Sequence, residues 1–374
     1  MKIGIDARFV GPEGTGLGKY TEKLIENLQK IDSVNEYVIF LRQSNWSYLN
    51  LKNKNFQKKL ADVPWYSAEE QLKMPAIYMS QNLDLLHVPH FNVPFLYRKK
   101  FIVTIHDLIH HHFSQESTTT RNPLMFKIKR LGYKSTIANA IKRSQKIIVP
   151  SNFVKNEIIS TFKIDSQKVV VTYEAAEEEY FQKSKVKIHF SQENLLKASK
   201  SKHDQLLYVG NAYPHKNLNK LLNAMMFLDL KLTIVSPRNV FSKRLEHEVK
   251  NRSLDEKVKI TPYQEPSELV KILRSSEAYV FPSLAEGFGI PGLNAMAAGI
   301  PVVAANIPTL KEIYGDAAVY FDPQDANDIA EKIKSVTLSS KKAEDLIKKG
   351  FYQAKKYSWL KMAKETLAVY NSLK

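Results

Sequence analysis

Apolar positions along this chain fall into two alternating rhythms. Short buried-looking runs occur at 2–10, 37–41, 83–88, 101–105, 146–149 and 169–172, most of them closed by Gly, Pro or charge. Between them lie segments with helical spacing, clearest where Tyr20, Leu24, Ile25 and Leu28 share one face. A second series follows, with strands at 206–209, 232–235, 258–260, 278–281 and 301–304. Its helices are expected at 218–226, 243–250, 267–274, 325–336 and 341–373, the last interrupted near Tyr357 and Ser358. Strand–helix alternation in two blocks predicts two α/β domains, each with a doubly wound parallel sheet. The pattern lapses between Glu174 and His203, where an acidic stretch gives way to Lys- and Ser-rich sequence. Expected boundaries are 1–185 for the first domain, 186–203 for a linker, 204–350 for the second domain and 351–374 for a closing helical segment.

One stretch, EAYVFPSLAEGFGIPGLNAMAAG at 277–299, carries the most chemistry. An apolar strand ends at Pro282, a loop with two glycines follows, and Pro291 suits the first turn of a helix. Leu293, Met296 and Ala297 continue that helix, and Gly299 suits a left-handed stop. Gly287, Phe288, Gly289 and Ile290 therefore precede a helix N-terminus, where backbone N–H groups and the helix dipole favour an anion such as phosphate. Glu286 would repel that phosphate unless it faces a hydroxyl-rich part of the same ligand. A plain crossover with a solvated Glu is the alternative.

Composition narrows the choices. The 374 residues suffice for two domains, and 44% hydrophobic content is that of a globular chain. No apolar run approaches a membrane span. The start, MKIGIDARFV, lacks the regions of a secretory signal, so the cytoplasm is expected. Cysteine is absent, which excludes disulfides, thiol nucleophiles and Cys-based zinc sites. A net charge of +17 calls for an anionic partner: nucleic acid, a membrane face or an anionic substrate. Part of it gathers between Arg121 and Lys155, a segment with Lys127, Arg130 and Lys134 and no acidic residue among its charges. Leu124, Ile128 and Leu131 keep helical spacing there, so it reads as a basic amphipathic helix or as a solvated face. No aromatic residues interleave as base stacking would need, and nucleic acid is not expected.

Several further residues stand where strands meet loops. The Gly-rich GPEGTGLGKY after the first strand is neither a Walker loop nor a dinucleotide fingerprint. Gly16 and Gly18 would let a backbone approach a phosphate, or they make a tight turn. His106 sits at the C-terminal edge of a parallel strand, where α/β ligands bind, and either meets a sugar hydroxyl or bonds locally to backbone. His110, His111 and His112 are adjacent and do not converge on one ion, so no metal is expected. Lys216, after the second domain's first strand, offers a positive charge to a phosphate.

These pieces together carry a resemblance. GTGLGKY, TIHDL, VPSNF, LLYVGNAYPHKN and FPSLAEGFGIPGLNAMAAGIPVV, in this order, resemble the retaining GT-B glycosyltransferases of family 4 over nearly the whole chain. WYSAEEQ and HVPHFNVP resemble the branch that includes bacterial mannosyltransferases. The resemblance implies a GT-B fold: two Rossmann-like α/β domains facing across a cleft, with the C-terminal helix packing back on the first. It implies a nucleotide-sugar donor whose diphosphate meets Lys216, the backbone of Phe288, Gly289 and Ile290, and Gly16, with Gly18 beside it. Asn211, His215 and Tyr263 would line the donor site. Glu286 would bind hydroxyls of the transferred sugar, and His106 would contact the sugar near the reacting carbon. His90, Asn92, Lys127, Arg130 and Lys134 fall on the acceptor or membrane side. The family reaction needs neither a metal nor a protein nucleophile, because a donor phosphate oxygen takes the acceptor's proton. Two positions depart from the pattern. The motif's second acidic residue, which binds ribose, is here Asn294, an exchange that weakens the contact by about 1 kcal/mol. Asn211 stands where the family often has Arg, which leaves His215 as a candidate compensation.

The expected function is transfer of a hexose, mannose from GDP-mannose first, to a cell-envelope glycan or lipid-linked acceptor. The protein would work in the cytoplasm, with peripheral attachment to the anionic inner face of the plasma membrane. A non-catalytic sugar-nucleotide or glycan-binding homologue, or a GT-B epimerase, is the alternative.

Overall fold

A computed structural model describes residues 1–112, 123–181 and 204–374, without the side chains of 12, 112, 123–129 and 266. The described residues divide into two compact units. The first holds 1–112, 123–174 and 358–374; the second holds 175–181 and 204–357. The division thus falls at Ala175 and Ser358, where the sequence pattern pointed to 185 and 351. The acidic stretch after Glu174 goes with the second unit, because the Glu177 N–H donates to the Asn294 side chain (3.0 Å). The expected linker, 186–203, lies outside the described residues.

The first sheet contains β1 (Lys2–Asp6), β2 (Glu36–Leu41), β3 (Phe56–Leu60), β4 (Leu85–Val88), β5 (Phe101–Thr104), β6 (Ile147–Val149) and β7 (Val169–Val171). Its order is β3-β2-β1-β4-β5-β6-β7, and every pairing is parallel. Both faces of such a sheet are covered, which explains why its central strands read as unbroken apolar runs. Ile3, Ile5, Val38, Ile39, Leu86, Ile102, Val103 and Ile147 are all buried. β1 stops at Asp6, short of the expected Val10, because the chain turns there: the Val10 N–H donates to the Ala7 carbonyl (3.0 Å). Helix α1 (Thr15–Ile31) then lays Tyr20, Leu24, Ile25 and Leu28 on the core.

The C-terminal helix Trp359–Asn371 packs against α1, as expected. Its Tyr370 reaches into the sheet. The His87 Nδ1 of β4 bonds the Tyr370 hydroxyl (2.7 Å), and its Nε2 bonds the Thr104 hydroxyl of β5 (2.9 Å). Thr104 in turn shares a hydrogen bond with the Tyr20 hydroxyl (3.2 Å). Full burial pushes the His87 imidazole down to about 3, so it stays neutral in this chain of bonds.

The second sheet contains β8 (Gln205–Val209), β9 (Lys231–Val235), β10 (Val258–Thr261), β11 (Ala278–Phe281), β12 (Val302–Ala305) and β13 (Ala318–Phe321). It is again parallel, in the order β10-β9-β8-β11-β12-β13. In both sheets the strand order reverses beside the first strand of the unit, which is where ligands bind in doubly wound folds. Among the described residues no helix is long and apolar enough to cross a membrane.

Candidate functional site

In the second unit the site grows from the end of β11. All four strand residues are buried, and Pro282 ends the pairing. The loop then climbs to Gly289, whose φ of +100° makes it the left-handed cap of the helix Ile290–Ala297. Glycine is required here on two counts: the dihedral, and a Cβ that would lie 2.6 Å from the Tyr314 hydroxyl. That hydroxyl donates to the Gly289 carbonyl (2.6 Å), and the Thr309 hydroxyl donates to the Glu286 carbonyl (2.8 Å). Two side chains from the helix Pro308–Tyr314 thus hold the loop from behind. Pro291 stands in the first turn and Gly299 takes φ +82°, both as the spacing predicted. A helix start leaves N–H groups without intrahelical acceptors and a partial positive charge, and Ile290 opens the helix at that end.

Lys216 comes to this loop from the loop after β8. It closes the short turn Pro214–Lys216, and Asn217 follows with φ +58°. The Asn217 amide donates to the carbonyls of Pro282 (3.2 Å) and Pro323 (2.8 Å), and the Leu284 N–H donates to the His215 carbonyl (2.8 Å). These bonds lock the two loops side by side. The Lys216 ammonium meets Glu286 Oε1 at 2.6 Å, with the two side chains only 16% and 10% exposed. The two residues expected to meet different parts of a donor therefore meet each other here.

The remaining second-unit candidates divide. The Asn211 carbonyl accepts from the Tyr208 hydroxyl (2.9 Å), which fixes the backbone after Gly210. Asn294 is nearly buried, and its side-chain oxygen is occupied by the Glu177 N–H. Phe288 is buried with its ring against Tyr357, so its ring is not presented to a ligand. Tyr263 is well exposed.

In the first unit His106 follows β5. Its Nδ1 bonds Glu174 Oε1 (2.9 Å) and its Nε2 faces the Pro89 carbonyl (3.2 Å). Its ring stands edge-on to Tyr20, 4.7 Å between centroids. Both nitrogens face acceptors, so a neutral ring donates through one of them and a protonated ring through both. Local backbone bonding, the alternative reading of this His, is thus present together with a carboxylate partner.

His90 and Asn92 lie beyond β4 and are joined: His90 Nδ1 bonds Asn92 Oδ1 (3.0 Å). Behind them is a buried charge network that the sequence did not announce. Asp6 accepts from Arg8 Nε (2.9 Å), Arg8 Nη2 (2.7 Å) and the Tyr78 hydroxyl (2.8 Å). Arg8 Nη2 also reaches Glu70 Oε1 (2.5 Å), which accepts from Asn92 Nδ2 (2.6 Å). Burial works to raise the Asp6 carboxyl, but Arg8 and Tyr78 outweigh it and hold Asp6 below its ordinary value. Glu70 comes out raised, because burial there is only partly offset by Arg8.

The glycines after β1 need a correction. Gly16 and Gly18 lie inside the first turns of α1 and not in a loop. A Cβ on Gly18 would sit 2.3 Å from the Phe9 carbonyl oxygen, so close backbone packing accounts for that glycine and leaves no room for a ligand. Gly16 meets nothing within 4 Å and remains open. Arg130 is half-buried and Lys134 exposed on the helix Pro123–Arg143, while the Lys127 side chain lies outside the described residues. His110 and His111 rest against the Tyr133 ring, and among the described residues no acidic or His cluster is placed to hold a metal.

Residues 16–179 match the family described as Glycosyltransferase Family 4, and residues 190–353 match Glycosyl transferases group 1. The O-antigen chain mannosyltransferase RfbU of Salmonella typhimurium is 26% identical over 340 residues, covering 87% of this chain and 88% of its own. The O-antigen chain mannosyltransferase B of Escherichia coli is 25% identical over 380 residues, covering 96% of each. Among solved structures, sucrose-phosphate synthase from Thermosynechococcus elongatus superposes with a TM-score of 0.77 at 17% identity, covering 100% of this chain and 99% of that one. That likeness shows the GT-B fold.

Proposed function

The chain belongs to the family 4 glycosyltransferases, each half matching a glycosyltransferase family, and from that membership we propose that it moves mannose from GDP-mannose to a glycan or lipid-linked acceptor. Two O-antigen mannosyltransferases alike over most of their length support the sugar. The observation that carries the reading is the Lys216–Glu286 pair beside the Gly289-capped helix. A diphosphate draws Lys216 and the Ile290 N–H to itself, and Glu286, released from its partner, turns to hydroxyls of the transferred sugar. As the sugar–phosphate bond breaks, Lys216 and the helix dipole take up the growing negative charge. The acceptor hydroxyl attacks on the face the diphosphate leaves, and a donor phosphate oxygen receives its proton, so configuration is retained. Within the first unit, His106, held by Glu174 and Pro89, is the candidate for the sugar contact that the family resemblance implies. Asn294 meets the ribose only by yielding Glu177. Added metal is not required, and a chelator should leave the rate unchanged. An anionic bilayer is a further partner, met by the exposed Leu131, Lys134 and Lys142, and alanine at both lysines should weaken liposome binding.

The test is a thermal-shift and hydrolysis screen against GDP-mannose, UDP-glucose, UDP-GlcNAc and ADP-glucose, with Glu286→Ala and Lys216→Ala alongside. Stabilisation by GDP-mannose, slow GDP release and loss of release in both variants is the expected result. Binding without turnover in the presence of acceptor mixtures would instead identify a sugar-nucleotide-binding protein. Interconversion of donor sugars without acceptor would identify an epimerase.

A further inference from the structure

At the C-terminal edge of β1 and β4 the first unit gathers a group of rings. Phe9 stacks on Trp65 (centroids 4.6 Å) and meets Tyr66 (5.9 Å) and His90 (5.4 Å). His90 lies 4.0 Å from Phe91, which also meets Tyr66 (6.2 Å). Tyr66 is the open member, 56% exposed. Its backbone is left-handed, φ +59°, which a bulky side chain adopts only under constraint. The constraint is visible: Glu70 Oε2 accepts the Tyr66 N–H at 2.9 Å.

The buried network behind the rings also fixes the direction of each proton. Glu70 accepts from Arg8, from Asn92 and from the Tyr66 backbone. Since the Asn92 amide nitrogen points at Glu70, its oxygen faces His90, and His90 Nδ1 is the donor between them. Burial pushes His90 down to about 3, so the ring is neutral and its Nε2 carries a lone pair. The Tyr66 hydroxyl, which keeps its proton, donates a hydrogen bond to that lone pair across 3.3 Å. The Tyr66 oxygen is then left as an acceptor with a set orientation. A ring face with negative π density and one fixed acceptor at its rim has a natural complement in a saccharide, which offers a weakly positive C–H face edged by hydroxyl donors. An anion finds no open cation here: Arg8 is bonded to Asp6 and Glu70 behind the rings, and Arg42, over Trp65 at 4.9 Å from the ring centre, faces Glu13 and Asp62.

We infer that Tyr66, backed by Phe9 and Phe91 and oriented through Glu70, Asn92 and His90, is a saccharide-binding platform that receives the acceptor glycan. The acceptor role rests on the transferase reading; the saccharide site stands apart from it. The experiment is saturation-transfer NMR and titration of the full chain with methyl α-mannoside and an α-linked mannotriose. Tyr66→Phe, Tyr66→Ala and Tyr66→Gly are compared with the parent. The phenol-free ring of Tyr66→Phe should bind a few-fold more weakly, and both ring-less variants at least tenfold more weakly. Tyr66→Gly also relieves the left-handed backbone, so it should melt no lower than the parent while binding worse. Equal affinity in parent and Tyr66→Gly, or no saccharide binding by a parent that hydrolyses GDP-mannose, would overturn the platform. Saccharide binding lost with Tyr66, in a parent that releases no nucleoside diphosphate from any donor, would overturn the transferase reading and leave the platform standing.

Discussion

At the end of β1 the first unit buries Asp6, Arg8, Glu70 and Tyr78 in one hydrogen-bonded network, whereas at the end of β11 the second unit keeps one ion pair, Lys216 with Glu286, beside a loop whose carbonyls are held by Thr309 and Tyr314. The difference lies in what each edge can give up. Fully buried charges have no water to turn to, so separating them leaves an uncompensated ion in a low dielectric. Lys216 and Glu286 keep some exposure, and an incoming diphosphate is itself a replacement partner. The first edge is therefore a fixed shape and the second an exchangeable one.

The comparison breaks first at Arg8. Arg8→Ala strands two buried carboxylates, and denaturant unfolding should show a loss of about 3–5 kcal/mol. If stability holds, the network is not what fixes the first edge. At the second edge, Lys216→Ala should cost on the order of 10²–10³ in turnover, the usual result of removing one group that stabilises transition-state charge. Because the pair is exchangeable, the melting temperature of the ligand-free variant should move far less than that of Arg8→Ala.

Acid sharpens the contrast next. His87 and His90 are both held near 3 against an ordinary value of 6.5. A base whose folded pKa is depressed leaves the unfolded chain binding more protons, so its stabilisation is complete above the unfolded pKa. Stability should therefore fall as pH drops from about 6.5 toward 3, by up to about 1.4 kcal/mol per pH unit for each His. Urea midpoints measured from pH 7 to 4 should show this slope in the parent and half of it in His87→Gln. The smallest effect belongs to Tyr314→Phe, which removes one hydrogen bond to the Gly289 carbonyl. About 1 kcal/mol is at stake, seen as a several-fold rise in donor KM with little change in the first unit.

These two edges were not equally readable from sequence. The loop and helix after β11 follow local rules: a strand end at Pro282, a left-handed Gly289, Pro291 in the first turn and Gly299 as the stop. Each signal lies within a few residues of what it governs, and the structure returned each in place. The groups that complete the same site do not. Tyr314, Thr309 and Asn217 act through backbone carbonyls distant in sequence, and nothing in their own neighbourhood marks them. Glu174 read as the start of an acidic linker, yet it is the partner of His106, 68 residues away. Arg8 looked like the tail of a strand and is among the largest side chains with almost no exposure. Two strands escaped notice for plainer reasons. β3 is FQKKL at a sheet edge, where only Phe56 is buried, and it carries no apolar rhythm. β13, AVYF, is only four residues long, and Val319 and Tyr320 in it are partly buried. The helix Ala68–Met79 holds Pro75 inside it and has little amphipathic contrast.

The helix Trp359–Asn371 sets the order in which the protein can be finished as it leaves the ribosome. Its Tyr370 closes the bond to His87, and its face covers α1, both made long before it. At translation rates of about 5–20 residues per second, the intervening second unit keeps that helix back for roughly ten seconds or more. The second unit has every strand it needs when its own last helix emerges and can close at once. The first unit, synthesised first, waits with the side of α1 that this helix covers still open, and it is the half with most to gain from a chaperone during synthesis.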